Sequence, residues 1–300
     1  MLNIIGQRKI YFTLSGILVA LSLLFLLIWG LRPGIDFTGG SLIEVEFTGA
    51  RPDKALVDEV LGTMDLGGFT VQPIEDSSYI LKTRFVTEDE HQNILSGLRE
   101  KFVTEENSVL ETRVETIGPA ISSTLRNRAF SAAIAVIIAI VIYIAYTFRK
   151  VSRPVKSWKY GLTAIVALLH DVLITMGIFA VLGRFFGVEI DIAFVVAILT
   201  ILGYSVNDTI VVFDRVRENL IKEGYDRFEE VVNRGVNQTI YRSINTGLTT
   251  LLVLFALYFF GGESIHYFSL ALIIGIIVGT YSSIFLASPL LVVWQKLKQK

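Results

Sequence analysis

The sequence predicts a membrane α-helical bundle of six transmembrane helices that carries one small α+β domain between its first and second spans. Of the 300 residues, 52% are hydrophobic and 18% are charged. This composition excludes intrinsic disorder and disfavours a purely soluble protein. Six apolar stretches also approach or exceed the roughly 20 helical residues that cross a bilayer. A polar stretch at 31–128 separates the first of them from the others.

The first predicted span, 10–29, contains no charged residue and follows Arg8 and Lys9. Its length, and the lack of a small-x-small cleavage pattern after it, indicate an uncleaved anchor rather than a signal peptide. The remaining predicted spans are 130–148, 160–182, 190–213, 241–260 and 267–294.

The basic residues of the short connections predict the orientation, because loops rich in Lys and Arg stay in the cytoplasm. The N-terminal segment, the connection at 149–159 and the C-terminal tail are rich in these residues. The connections at 183–189 and 261–266 together hold one basic residue, Arg184. We therefore expect a multi-pass protein with both termini in the cytoplasm and residues 31–128 outside it.

The polar insert predicts the element order β-α-β-β-α-β, the ferredoxin-like arrangement. Residues 42–47, 69–74, 79–85 and 109–117 have the pattern of strands. Pro52 is expected to open a helix to about residue 62, and Thr87 with Glu90 forms a capping box for a second helix through residue 102. The first helix is expected to bury Leu56, Val57, Val60 and Leu61. Such a domain suggests docking or a hinge, not chemistry.

The predicted domain boundaries follow from these elements. Residues 1–30 form the cytoplasmic start and first span, 31–128 the extracytoplasmic domain, and 129–300 the other five spans with their cytoplasmic loops and tail.

Motifs of soluble enzymes are missing from the sequence. No Gly-Lys dipeptide exists, which excludes a Walker A loop. The three histidines are scattered, and the chain has no cysteine for a disulfide or a thiolate site. The 27 basic and 28 acidic residues nearly cancel, so no global charge points to nucleic acid. We therefore expect no catalytic centre, no metal, no bound cofactor and no nucleic-acid partner.

Charged residues inside the predicted spans are the candidate functional residues, because each costs about 2.5–3.5 kcal/mol at mid-bilayer. Asp208 lies about 9 Å inside the fourth span, counted from Asp214 at its edge. Asn207 is beside it, and Tyr204 lies one turn away on the same face. A carboxyl removed from water can take up and release a proton near neutral pH. A structural hydrogen bond to a neighbouring helix is the alternative.

Arg242 is expected at the same depth as Asp208. The stretch 248–260 is about 20 Å long and too short to cross, so the fifth span must draw residues 242–247 into the membrane. Arg242, Asn245 or Thr246, and Thr249 recur at helical spacing. Arg242 would act as a fixed positive charge that pairs with an ionised Asp208. Snorkelling of the arginine to the headgroups is the alternative.

Asp171, with His170, lies near the middle of the third span, about 18 Å past Lys159. A His-Asp pair could relay protons, but adjacent residues point to different faces of a helix. We therefore consider a proton path through Asp171, His170 and Tyr204 alongside purely structural bonding.

Three motifs resemble the SecF group of the SecD/SecF family of protein-export membrane subunits. The fourth-span motif at 203–215 reads Gly-Tyr-Ser-Val-Asn-Asp-Thr-Ile-Val-Val-Phe-Asp-Arg, and 242–246 reads Arg-Ser-Ile-Asn-Thr. Residues 34–40, Gly-Ile-Asp-Phe-Thr-Gly-Gly, resemble an opening motif that the family's sister subunit SecD shares. The motif residues are Gly34, Asp36, Phe37, Gly39 and Gly40. The six spans and single insert extend the resemblance over nearly the whole chain.

The resemblance implies an RND-like membrane fold in the prokaryotic cytoplasmic membrane. It implies an accessory subunit that works with SecD beside the Sec channel and uses the proton-motive force to pull exported polypeptides outward. The proton gradient is then the energy source, and the lipid bilayer surrounds the spans. By the same resemblance Asp208 and Arg242 couple protons and Thr246 assists. Gly247 departs from the family pattern, which has serine there, so no hydroxyl is expected from this position.

Two other functions remain open at this point. One half of an RND-like transporter of small molecules would share the buried acid, although such transporters usually carry both halves in one chain. A non-transporting scaffold would use the same polar residues to hold partners together, and Asp208→Asn would then be nearly silent.

Overall fold

The computed structural model describes residues 1–74, 76–147, 157–224 and 226–296, without the side chains of Ser157 and Glu263. Most of the basic connection after the second predicted span, and Lys298 and Lys300 of the tail, lie outside these residues. The chain divides into two compact units. One comprises Met1–Arg32 and Ser131–Lys300, and the other is Pro33–Phe130. We call them the membrane unit and the insert unit.

Within the described residues, six helices are long and apolar enough to cross a membrane, and a four-stranded antiparallel sheet lies in the insert unit. This confirms the predicted fold class. The elements in chain order are α1 (Arg8–Ile28), α2 (Ile35–Thr38), β1 (Gly40–Phe47), α3 (Lys54–Gly62), β2 (Phe69–Ile74), β3 (Ser78–Thr83), α4 (Glu88–Phe102), β4 (Val109–Ile117), α5 (Pro119–Thr147), α6 (Ser157–Phe186), α7 (Ile192–Glu223), α8 (Phe228–Phe260), α9 (Glu263–Ser282), a π-helical segment (Ser283–Ala287) and α10 (Ser288–Lys296).

Three membrane helices extend beyond their predicted apolar stretches by ten or more residues at one end. Helix α5 begins at Pro119 instead of residue 130, α7 continues to Glu223 instead of 213, and α8 begins at Phe228 instead of 241. The added part of α7 is about three turns long. It is polar and carries ion pairs at helical spacing, such as Lys222 Nζ to Glu218 Oε1 at 2.7 Å. Hydropathy detects the part of a helix that suits lipid, so it misses such polar extensions.

Helix α7 is central to the membrane unit, where it packs against α6, α8 and α9. Helix α6 in turn packs against α1 and α9. A small residue permits the approach of α9 to α7, because a Cβ at Gly279 would lie 3.1 Å from Ser205 Cβ. Helix α5 is largely exposed, with Ile144 as its buried contact to the core.

The sheet of the insert unit has the order β2-β3-β1-β4 with antiparallel neighbours. This is the ferredoxin-like arrangement that the element order predicted. Helices α3 and α4 pack against each other and contribute to one core with the inward residues of β1 and β3. That core includes Ile43, Val45, Val57, Leu61, Leu81, Ile94 and Leu98.

The first helix of the insert unit differs from its prediction. Asp53 is the residue before its first turn, so Pro52 precedes the helix instead of opening it. Val57 and Leu61 are buried as predicted, whereas Leu56 is 42% exposed. Adjacent helical residues point about 100° apart, so Leu56 falls outside the face that Val57 and Leu61 share.

The second helix confirms its predicted start and end. The Thr87 side chain accepts from the Glu90 N–H, and the Glu90 carboxylate accepts from the Thr87 N–H at 2.8 Å. The strand before it ends at Thr83, two residues earlier than the predicted 85. Strands β2 and β4 have the predicted bounds.

The motif at 34–40 forms a tight turn that leads into β1. Its first part is the single helical turn α2, in which Phe37 is buried. Gly39 and Gly40 then adopt φ values of +74° and +135°. A Cβ at Gly40 would lie 2.6 Å from the Thr83 carbonyl oxygen of the adjacent strand. Both the positive φ and this close approach require glycine, so the motif has a structural role.

Candidate functional site

Asp208 lies on α7 and receives hydrogen bonds from two other parts of the bundle. Its Oδ1 accepts from Ser243 Oγ of α8 at 2.6 Å. Its Oδ2 accepts from Ser283 Oγ, at the start of the π-helical segment. The carboxyl group therefore joins the fourth, fifth and sixth spans. The sequence analysis gave a structural hydrogen bond from Asp208 to a neighbouring helix as the alternative to proton exchange, and such hydrogen bonds are present. A carboxyl group that is bonded in this way can still exchange a proton.

Arg242 does not form a direct ion pair with Asp208. Among the described residues, no ion pair within 4.0 Å joins the two side chains. The depth argument placed both residues at one level but did not fix the direction of their side chains. Ser243, the next residue on α8, faces α7 instead, and Arg242 is exposed. Arg242 lines a cavity of about 610 Å³. Its other lining residues are Thr147, Ile210, Val211, Asp214, Arg215, Glu218, Gln238 and Thr239.

Asn207 and Thr246 are exposed side chains of α7 and α8. Over the described ranges, neither side chain forms a hydrogen bond with the Asp208 carboxyl group. Asn245 and Thr249 are exposed as well, so the polar stripe predicted on α8 faces away from the core of this chain.

Asp171 is fully buried and has three hydrogen-bond partners. His170 Nδ1 lies 2.9 Å from its Oδ1, and Ser205 Oγ and Ser282 Oγ donate to its Oδ2 at 2.5 and 2.8 Å. Adjacent side chains of a helix were expected to point apart. His170 and Asp171 are nevertheless in contact, because the imidazole of His170 turns toward the carboxylate. His170 is 4% exposed and its Nε2 has no hydrogen-bond partner among the described atoms.

Tyr204, the remaining predicted path residue, is half-buried one turn before Asp208. A Cβ at Gly247 would lie 3.4 Å from the Tyr204 hydroxyl and 3.0 Å from Thr280 Oγ1. Glycine at 247 therefore allows these two hydroxyl groups to approach α8. This close packing explains why position 247 has glycine where the family pattern has serine.

The four serines that bond the carboxyl groups were not predicted. Ser205 lies three residues before Asp208, and Ser282 and Ser283 are adjacent within an apolar span. The spacing of three residues from Asp208 is a signal that could have identified Ser205 as a polar residue inside the bundle, although its hydroxyl bonds Asp171. A serine pair in an apolar helix is a weaker signal, because a serine hydroxyl there can bond its own backbone.

The described residues contain no group of three or more His, Cys, Asp or Glu side chains that could hold a metal ion. The site thus consists of two carboxyl groups, one imidazole and hydroxyl groups. Proton exchange is chemistry that this set can support without a metal.

Two family descriptions match the chain. "Protein export membrane protein SecD/SecF, C-terminal" matches residues 98–297, and "SecD/SecF GG Motif" matches residues 25–50. The chain is 42% identical to a protein translocase subunit SecF of Thermobaculum terrenum and 35% identical to one of Anaerolinea thermophila. Both alignments cover 98% of this chain and 94% of the relative.

A solved structure shows the same fold. The crystal structure of SecDF, a translocon-associated membrane protein from Thermus thermophilus, matches with a TM-score of 0.83 and 31% identity. The match covers 98% of this chain and 39% of the SecDF chain, so the present chain spans about two fifths of that protein. From these matches, the chain belongs to the SecD/SecF family of protein export membrane proteins.

Proposed function

We propose that the chain is an accessory subunit of the Sec protein-export machinery. In this proposal it works with SecD and uses the proton-motive force to promote translocation of secretory proteins through the Sec channel across the cytoplasmic membrane. Its relatives of similar length are named protein translocase subunits, which supports the export role. The observation that supports proton coupling is Asp208, a carboxyl group within a span that bonds two other parts of the bundle.

Protonation of Asp208 changes how these helices are joined. The ionised carboxylate accepts from both Ser243 and Ser283. A protonated carboxyl must donate its own O–H, so one serine has to turn and become the acceptor. Ser283 Oγ has an alternative acceptor for its hydrogen, the Thr280 carbonyl oxygen at 3.1 Å. A proton can therefore change the bonding between α7 and the sixth span without leaving a polar group unsatisfied.

The nearby polar residues complete the proposed coupling site. Arg242 supplies a permanent positive charge beside Asp208 that lipid cannot screen. Thr246 and Asn207 are polar and exposed on α8 and α7. A membrane potential supplies about 2.3 kcal/mol per charge per 100 mV, or about a 50-fold change in an equilibrium. This is enough to bias two arrangements of the helices.

The proposal also assigns the orientation. Both termini lie in the cytoplasm, and the domain at 31–128 lies outside, between the membrane segments 1–30 and 129–300. The insert is continuous with α1 at one end and with α5 at the other. A shift of the spans would be carried to the insert, where exported polypeptides emerge.

The exposed stripe on α8 is the proposed contact with SecD. Arg242, Asn245, Thr246 and Thr249 are exposed in this chain, and polar side chains that face lipid are costly. A second helical bundle that covers the stripe removes this cost. The SecDF chain, of which this chain matches about two fifths, supports such a partner.

The proposal is tested by export of a secretory protein into inverted vesicles that contain this chain, SecD and the Sec channel. The Asp208→Asn variant is compared with the unchanged chain, with and without an imposed proton gradient. We expect the variant to assemble with SecD and to lose the gradient-dependent part of export. Asparagine has nearly the size of aspartate and, like the protonated acid, one accepting and one donating end, but it cannot exchange a proton.

Asp214→Asn is the matched control, since Asp214 is on the same helix and its carboxylate pairs with Arg217 at 2.9 Å. This control is expected to keep gradient-stimulated export. Survival of that stimulation in Asp208→Asn would show a structural acid and favour a scaffold. A gradient-driven flux of small molecules without any effect on export would favour a transporter half.

A further inference from the structure

A second carboxyl group inside the membrane unit, Asp171, takes no part in the mechanism proposed above. Its side chain is fully buried, and His170 beside it is 4% exposed. A buried carboxylate needs a partner or a proton, because an isolated charge away from water is very costly. Asp171 and His170 are therefore expected to share a defined set of protons, and their hydrogen bonds indicate which atoms carry them.

The geometry of the pair leaves one atom ready to bind a proton. An ionised Asp171 can only accept hydrogen bonds, so His170 Nδ1 at 2.9 Å must carry the hydrogen that joins them. The other ring nitrogen, Nε2, then has a free lone pair. It is buried and has no partner among the described atoms. One added proton on Nε2 changes the net charge of the pair from −1 to zero.

The surroundings of the pair contain hydroxyl groups and aromatic rings. Helix α7 contributes Ser205 and the sixth span contributes Ser282. The Tyr281 ring stacks on His170 with centroids 6.1 Å apart, and its hydroxyl contacts Ser15 of α1 at 3.3 Å. Over the described residues, the ionisable side chains that face the pair are Tyr281 and, one turn from Ser205, Asp208. Apart from His170 itself, no basic side chain among these residues contacts Asp171.

Two adjacent serines connect this pair with the coupling acid. Ser282 Oγ donates to Asp171, and Ser283 Oγ donates to Asp208. Each hydroxyl also lies 3.1 Å from a carbonyl oxygen of its own helix, at Gly279 for Ser282 and Thr280 for Ser283. A hydroxyl has one hydrogen, so it bonds either the carboxylate or the carbonyl at any moment. The orientation of the Ser283 hydroxyl thus depends on whether Asp208 is ionised.

The local helix geometry explains how neighbours reach two acids on different helices. Adjacent residues of a helix point about 100° apart, which directs Ser282 to α6 and Ser283 to α7. The π-helical segment begins at Ser283 and ends at Ala287. Such segments inside α-helices are rare and frequently occur at functional sites.

We propose that Asp171 and His170 form a second proton-binding site, and that the adjacent hydroxyls of Ser282 and Ser283 link its protonation to that of Asp208. The inference deepens the proposed function and rests on the role given there to Asp208. Proton binding at Asp208 turns Ser283, shifts the start of the π-helical segment and changes the hydrogen bond that Ser282 donates to Asp171. Proton binding at His170 Nε2 neutralises the pair, weakens the hydrogen bond from Ser282 and acts on Ser283 in the reverse direction.

The test uses the full chain in a bilayer with SecD, labelled with ¹⁵N-histidine. The chain has three histidines, so the His170 signals are identified by their loss in His170→Gln. The ¹⁵N shifts are followed against pH in four forms: unchanged, Asp208→Asn, Ser282→Ala, and the two substitutions combined. We expect His170 to titrate, and Asp208→Asn to move its midpoint by about one pH unit, the size of a clearly coupled pair.

Ser282→Ala is expected to remove at least half of that displacement, because it breaks the path through the hydroxyls. The matched control is Ser269→Ala on α9, whose hydroxyl is buried without a hydrogen-bond partner among the described atoms. It should leave the displacement intact. A displacement that survives Ser282→Ala would show coupling through space and overturn the serine link.

A His170 that keeps one protonation state between about pH 4 and 9, a range well to either side of free histidine, would overturn the second site. These outcomes are independent of export. If Asp208→Asn loses gradient-stimulated export but leaves His170 unmoved, the proposed function stands and this inference fails. If the midpoint moves while export is unaffected, the proton sites are linked but the proposed function fails.

Discussion

At the scale of single residues, serine hydroxyls make most of the hydrogen bonds to the two membrane carboxyl groups. Ser205 and Ser282 bond Asp171, and Ser243 and Ser283 bond Asp208. A hydroxyl both donates and accepts, so it satisfies a carboxyl group in either protonation state. A lysine or arginine in direct contact would instead hold the ionised form. The observed chemistry thus suits acids that exchange protons.

Gly40 allows a prediction about the insert unit. Replacement by alanine would place a Cβ 2.6 Å from the Thr83 carbonyl oxygen, at a φ of +135° that side chains rarely adopt. Residues held in such conformations cost about 1–3 kcal/mol. We expect amide hydrogen exchange of β1 and β3 in the full chain to become about 5- to 150-fold faster.

The control for this substitution is Gly68→Ala. A Cβ at Gly68 meets no atom within 4 Å, and the residue does not have a positive φ. Exchange in β1 and β3 should stay unchanged in this variant. Equal effects of the two substitutions would mean that the motif glycines are not required by the backbone.

The sequence identified the buried acids but not their bonds. Asp208 and Asp171 stand out because charge is rare inside apolar stretches. Sequence spacing gives the depth of Arg242, yet depth does not determine which side of α8 its side chain takes. Ser243 occupies the side toward α7, and Arg242 lies about 100° away. The serines carry no charge, and serine is not unusual in a membrane helix. Their hydrogen-bond partners are therefore evident only once the helices are packed together.

At the scale of elements, the start of α4 combines a capping box with an ion pair. Arg84 donates to the Glu90 carboxylate at 2.6 Å, and the Thr87 N–H donates at 2.8 Å. These bonds lower the pKa of Glu90 from 4.5 to about 2. Because the pKa is lower in the folded chain, the contacts stabilise it fully above about pH 4.5. That stabilisation is lost as the pH falls toward 2.

Carboxyl ¹³C shifts of labelled glutamate measure this pKa directly. We expect a Glu90 midpoint near 2 in the unchanged chain, and a midpoint displaced toward 4.5 in Arg84→Gln. Arg99→Gln, a charge change in the last turn of the same helix, should leave it in place. If the titration midpoint of Glu90 is the same in Arg84→Gln as in the unchanged chain, the capping box alone sets the pKa of Glu90.

The element bounds show which physical signals are local. The capping box, the β2 strand and the β4 strand depend on neighbouring residues, and their positions were predicted correctly. The ends of α5, α7 and α8 extend into polar sequence, where hydropathy does not indicate a helix. The π-helical segment that begins at Ser283 packs against α1, α6 and α7, and no propensity of its residues indicates it.

At the scale of the whole molecule, the chain presents surfaces that differ in chemistry. Helix α5 exposes apolar side chains such as Ile138, which is 52% exposed, as expected for contact with lipid. Helix α8 exposes apolar residues together with the stripe of Arg242, Asn245, Thr246 and Thr249. Lipid accepts the first surface at no cost but not the second. This contrast favours a protein partner on α8.

Cysteine cross-linking tests this assignment, and the natural chain has no cysteine to interfere. Thr246→Cys and, as the lipid-facing control, Ile138→Cys are each coupled to a short photoreactive maleimide in detergent, and the labelled chains are then reconstituted with SecD. Both positions are exposed in the isolated chain, so the label can reach each of them before SecD is added. If the stripe is covered by SecD, illumination yields a product of the combined mass that is several-fold more abundant from position 246 than from position 138. Equal yields from both positions would place SecD elsewhere, and the cost of the stripe would then have to be met by water reaching Arg242 through the adjoining cavity.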